Sequence, residues 1–242
     1  MFVPIAIGIA SCKKENAFDC FKSNGAAVTE TRYPGDFNCV KVFDKINLNI
    51  VYGAVYKVEV SAYSHIIKNI STEVRDGILY INNNNTCNFV RGYKKTVSVT
   101  VTAPNLAKVE NWGVGVARFE EGYRAQSMRI VAESSGDIYL DGTFRNLSTY
   151  SNGNGDIHLS GSCDSLNVFM NGTNFLYGHK LSIGTYVRAE SLSIGDCFIN
   201  AAAAQQLDYA IYRSGNIYYR GNPAKVNMVV ITAGKGSLIK EE

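Results

Sequence analysis

Asp137 and Asp156 occupy the same place in two stretches of similar sequence, Ser135-Gly136-Asp137-Ile138 and Asn154-Gly155-Asp156-Ile157. Stacked carboxylates on one face are what β-helical polysaccharide hydrolases use as general acid and base. The same oxygens on adjacent turns would also suit calcium. Against both stands a building role, because Asp beside Gly is a common turn residue whose side chain bonds nearby backbone N–H groups. Asp196 and Asn216 repeat the position, which favours a column over a singular site. His65, His158 and His179 are scattered without zinc spacing, and no nucleophile elbow or Walker loop is present. No metal or other cofactor is expected. Trp112, the sole Trp, has a ring able to stack on a sugar, though a buried packing role is the stronger expectation.

A different chemistry is written at the N-terminus. Phe2 to Ala10 form an apolar stretch too short to span a bilayer, followed by polar Lys13-Lys14-Glu15-Asn16. The ending Ile9-Ala10-Ser11-Cys12 resembles the bacterial lipobox, in which the Cys thiol receives a diacylglycerol. The basic segment usual ahead of such a core is missing, Met1-Phe2-Val3-Pro4 standing in its place, which leaves the true start of the chain open. The expectation is a signal peptide over 1–12, lipidation at Cys12, a tether over 13–32 and a folded domain over 33–242. The protein would be anchored to the outer membrane by lipid, not by a spanning segment. Cys20, Cys39, Cys87, Cys163 and Cys197 remain, and Cys20 with Cys87 is the expected disulfide because both lie in polar, irregular segments.

The elements that would carry these residues emerge from a self-alignment. A pattern of alternating inward residues, with a Gly or Asn eight places after the first, begins at Met128, Leu147, Leu166, Val187, Leu207 and Val226. The separations are 19, 19, 21, 20 and 19 residues. The eighth places are Gly136, Gly155, Asn174, Gly195, Gly215 and Gly234, types that tolerate positive φ and suit a bend. Inward positions of the last repeat would be Val226, Met228 and Val230, and small residues such as Gly142 and Gly161 would close strands. Units this short cannot bury an apolar face alone, so they must stack. The predicted fold is all-β, a right-handed parallel β-helix or β-solenoid with coils of about twenty residues, with a β-sandwich as alternative. Residues 37–110 are strand-rich at irregular spacing and read as early coils or a capping sheet.

Several motifs follow one another in a specific order: Ile46-Asn47-Leu48, the run Val97 to Leu106, Ser135 to Ile138, Gly153 to Ile157, and Ser214 to Pro223. That order resembles the GIN domain of Bacteroidetes, the head domain of auto-transporter-type adhesins. The resemblance covers roughly Phe37 to Leu238 and implies a β-helical fold at the cell envelope, without a defined ligand. Asn171-Gly172-Thr173-Asn174-Phe175 departs from the motif and leaves the register of that coil open.

A net charge of +3, from 24 basic and 21 acidic residues, gives no footprint for nucleic acid. Outward positions Tyr139, Tyr150, Tyr218, Arg129, Arg145 and Arg220 would form a face for glycan or an envelope protein. The expected function is therefore a non-enzymatic binding or structural module. A carbohydrate-active enzyme using Asp137 and Asp156, and a tethered sensor or assembly partner, are the alternatives.

Overall fold

A computed structural model of the chain describes residues 25–85, 97–230 and 234–242. Cys12, Cys20 and Cys87 lie outside these residues, and with them the expected lipidation and disulfide. The protein is an all-β, right-handed β-solenoid with coils of about twenty residues, not a sandwich.

The regular part begins with β10 (Tyr123–Ala132) and continues through β11 (Ile138–Gly153), β12 (Ile157–Gly172) and β13 (Leu176–Ser193). Further coils are built from β14 (Cys197–Asn200) and β15 (Gln206–Ile211), then β16 (Ile217–Arg220) and β17 (Lys225–Met228), with β18 (Leu238–Lys240) last. All six repeat starts lie in one parallel ladder, since Met128 pairs with Leu147, Leu147 with Leu166, Leu166 with Val187, Val187 with Leu207, and Leu207 with Val226. The departing coil keeps this register. Its two extra residues are absorbed by shifts between His158 and Ser160 and between Cys163 and Ser165. Alternation then buries Leu147, Thr149 and Ser151, and Leu166, Val168 and Met170.

Three expectations about glycine need correction. Gly142 and Gly161 do not close strands: they pair with each other inside continuous sixteen-residue ladders that turn a corner. The bend glycines Gly136, Gly155, Gly195 and Gly215 are not at positive φ. They are small because coils touch there: a Cβ on Gly155 would lie 2.5 Å from the Gly136 carbonyl oxygen. In the last coil Gly236, not Gly234, stacks on Gly215.

The irregular first half supplies both early coils and a cap. It contains β1 (Ala27–Arg32), β2 (Cys39–Val42), β3 (Ile46–Tyr52), β4 (Lys57–Tyr63), β5 (Ile70–Arg75), β6 (Ile78–Asn83), β7 (Val97–Ala103), β8 (Lys108–Asn111) and β9 (Ala117–Phe119). Stacking here does not follow the chain: β2 lies between β6 and β8, and β3 between β7 and β9, all parallel. The outermost coil is then covered by antiparallel strands, β5 on β6, β4 on β7 and β1 on β4. These strands close edges that would otherwise template aggregation. Strand β1 occupies the last residues of the expected tether, because the β4 edge offers its backbone a partner. At the other end Val226, Met228 and Val230 are 40%, 54% and 44% exposed, contrary to the inward reading, because no described coil lies beneath them.

Cys39, Cys163 and Cys197 are buried free thiols. Burial pushes Cys39 up to about 11 and Cys163 up to about 12, and raises Cys197 as well. Reactivity belongs to the thiolate. Native protein at pH 8 should therefore leave the peptides bearing these three cysteines unmodified by iodoacetamide, whereas denatured protein should alkylate all three; rapid native labelling would contradict the packing.

Candidate functional site

The acidic column proves to be part of the construction. Asp137 Oδ1 accepts the backbone N–H of Asp156 at 2.9 Å, Asp156 Oδ1 that of Phe175 at 2.8 Å, and Asp196 Oδ1 that of Asn216 at 2.8 Å. Asn216 continues the series by accepting from Ser237 N at 2.9 Å. Each carboxylate staples the turn of the next coil through one of its oxygens, a building role repeated along the column. Among the described residues no group of three or more His, Cys, Asp or Glu could hold a metal.

Two places after each staple an outward ring begins a row along the solenoid. Tyr139 stacks on His158 at 4.3 Å between centroids, His158 on Tyr177 at 4.7 Å, Tyr177 on Phe198 at 5.6 Å, and Phe198 on Tyr218 at 5.0 Å. The planes diverge by at most 18° along the row. Parallel pairing forces this, because in-register strands superimpose like positions at the strand spacing of roughly 4.8 Å. Arg118 caps the row with its guanidinium carbon 3.8 Å from the Tyr139 ring centre. Beside the row runs a groove of about 420 Å³, lined in part by Asp141, Ser160, His179 and Lys180. The ring faces are consumed by one another, so the row presents ring edges and phenol hydroxyls outward.

The structure separates the predicted ligand-facing residues onto different surfaces. Tyr139 and Tyr218 are the two ends of this row. Tyr150 stacks on Phe169 at 5.1 Å in a second, shorter row, with Arg129 at 6.0 Å above it. Arg220 is tied to Glu241 at 3.1 Å, and the same carboxylate meets His179 at 2.7 Å. Arg145 lines a cleft elsewhere. His158, Tyr177 and Phe198 were not among the predicted ligand-facing residues, although the repeat spacing applied to Tyr139 would have found them. Trp112 is 41% exposed rather than buried, its indole N–H donating to Glu110 at 2.7 Å and its ring covered by Lys41 at 4.0 Å.

Burial between two rings lowers the His158 pKa, an effect only partly opposed by Asp137 and Asp156. The imidazole thus contributes its full stabilisation above the ordinary value of 6.5 and loses it as pH falls through the lowered folded value, because the unfolded chain takes the proton first. Wild type should lose melting temperature between pH 7 and pH 5 more steeply than His158→Phe, which keeps a ring and removes the titration; parallel profiles would contradict this.

The fold and these surfaces are those of an adhesin-head-like module. Residues 36–223 match the family described as "Putative auto-transporter adhesin, head GIN domain", and the chain belongs to that family. Its fold is shared by a putative adhesin from Bacteroides fragilis, with 22% identity, coverage of 89% of this chain and 97% of that one, and a TM-score of 0.79. It is also shared by a putative lipid binding protein from Parabacteroides distasonis, with 19% identity, coverage of 91% and 98%, and a TM-score of 0.66. A putative adhesin from Parabacteroides merdae is similar at 18% identity, coverage of 91% and 98%, and a TM-score of 0.66. No curated protein matches the chain.

Proposed function

We propose that the protein is tethered to the outer membrane through a lipid on Cys12 and docks a protein partner with its aromatic row. The observation that carries this reading is the five-ring stack from Tyr139 to Tyr218. Side chains already held rigid lose little entropy on binding, and Tyr edges and hydroxyls suit a protein surface. A sugar ring would need an open aromatic face, and the interior rungs offer none. The tether rests on Ile9-Ala10-Ser11-Cys12, with attached acyl chains contributing about 0.8 kcal/mol per buried CH₂.

Two measurements test the two halves. Fractionation of cells expressing wild type and Cys12→Ser should move the variant from the membrane to the soluble fraction; unchanged membrane retention and processing would refute the anchor. Purified wild type should bind isolated envelopes, and Tyr139→Ser/Tyr177→Ser should bind at least tenfold more weakly, the order expected for losing interface anchors. Protease treatment of the envelopes should abolish binding and periodate treatment should not. The reverse pattern would replace the protein partner with a glycan.

A further inference from the structure

On a third side of the solenoid, where the early coils meet the regular ones, lies a cleft of about 920 Å³. Tyr52, Pro104 and Asn105 form one end, Arg124 and Gln126 follow, then Thr143 and Arg145, and Asp164 closes the other end. The ladder explains the projection of these side chains. Pairing runs from Ala125 with Phe144 directly to Ser127 with Asn146, and from Phe144 with Cys163 to Asn146 with Ser165. Gln126, Arg145 and Asp164 are therefore the skipped corner residues of successive coils, separated by roughly one strand spacing of 4.8 Å.

Arg124 and Arg145 are exposed, and neither forms an ion pair, hydrogen bond or ring contact with the described residues. Other arginines of the solenoid, on its other sides, are engaged: Arg118 and Arg129 cover rings, while Arg188 and Arg220 meet carboxylates. Two unengaged forks in one cleft match planar carboxylates, which accept paired hydrogen bonds from Arg. Tyr52 is 59% exposed, and its ring meets Tyr123 at 80° and 6.3 Å, an edge contact that leaves it outside any stack. That ring is open to C–H groups in a way the interior rungs of the Tyr139 row are not. The amides of Asn105 and Gln126 and the hydroxyl of Thr143 both donate and accept, as binding of sugar hydroxyls requires.

We propose that this cleft binds a carboxylate-bearing oligosaccharide lying along the solenoid axis. The uronic carboxylates sit on Arg124 and Arg145, and one sugar ring lies against Tyr52. An acidic peptide is a poorer match, because extended peptides gain their affinity by adding to an open strand edge. Here only single corner residues are skipped and the flanking backbone is paired coil to coil, Gly142 with Gly161 and Gly161 with Leu181, so this side offers no open strand edge. The assignment does not depend on the aromatic row, which lies on another face.

Calorimetric titration of the full chain with hexamers of galacturonate, mannuronate and guluronate, beside neutral maltohexaose and hexaglutamate, tests it. At least one uronate hexamer should bind, weakening as salt rises, and neither control should match it. Arg124→Ala and Arg145→Ala should each weaken that binding about tenfold, the size expected for a charge-assisted pair. Tyr52→Ala should weaken it too, whereas Asp164→Asn should strengthen it by removing a repulsive carboxylate. Tyr177→Ser should leave it unchanged, which separates this site from the row. The arginines form no ion pair, hydrogen bond or ring contact with the described residues, so these variants should melt like wild type. No binding by any uronate, equal binding of hexaglutamate, or unchanged affinity in the Arg124→Ala/Arg145→Ala variant would overturn the proposal.

Discussion

Gly155→Val should severely destabilise the regular coils. Its Cβ would lie 2.5 Å from the Gly136 carbonyl oxygen and 2.8 Å from the Gly136 carbonyl carbon. Neither atom can step aside without separating two hydrogen-bonded coils, and the branched methyls worsen the collision. A loss of about 4 kcal/mol or more is expected, a fall of roughly 10 °C or more in melting temperature for a chain of this size. Gly35→Ala is the instructive control, since nothing lies within 4 Å of its Cβ and only its φ of +93° resists the change. It should cost about 1 kcal/mol. Thermal melts of the two variants check the ranking, and equal losses would contradict the coil contact at Gly155.

Leu166→Ala should come next. Leu166 is 1% exposed, between Leu147 and Val187 in the inner ladder. Its truncation opens a cavity flanked by coils that cannot collapse independently, and about 2–5 kcal/mol should be lost. Val226→Ala changes the same column in the last coil, where the side chain is 40% exposed, and should cost less than about 1 kcal/mol. Urea denaturation of both would reveal the gradient. Similar midpoints would show that Val226 is covered in solution.

The repeat was legible because stacking makes side-chain rows depend on one number, the coil length. Leu147, Leu166 and Leu207 could be aligned from sequence alone, and so could the staple column through Asp137, Asp156, Asp196 and Asn216. The reason for the bend glycines was not legible, because a sequence shows that Gly is required without showing whether φ or a neighbour requires it. Asn174 illustrates the distinction. It replaces Gly at the bend and is accommodated by turning inward, where its amide donates to the carbonyls of Gly153 at 2.9 Å and Asn171 at 2.6 Å and its oxygen lies 2.8 Å from the Ser151 hydroxyl.

The first half resisted reading for a topological reason. Strand β2 sits between β6 and β8, so neighbours in space are not neighbours in the chain and no constant spacing links them. This hid the proximity of Tyr52 to Arg124 and Arg145, and with it the cleft. The outward residues were correctly identified as outward, but a coil has several sides. Tyr139, Tyr150 and Arg145 differ in side because the corners near Gly142 and at Arg145 turn the chain between Tyr139 and Tyr150, and the positions of those corners are not written in period-two alternation.

Both the aromatic row and the cleft require residues one coil apart to be lateral neighbours. The most direct test is pyrene excimer emission from paired cysteines in a chain whose Cys12, Cys20 and Cys87 are replaced by Ser. Cysteines at Asn146 and Ser165, which pair across adjacent coils, should give strong excimer emission after labelling. A pair at Asn146 and Gln206, three coils or roughly 14 Å apart, should give mainly monomer emission. Monomer emission alone from the Asn146 and Ser165 pair would contradict the stacked register on which both surfaces depend.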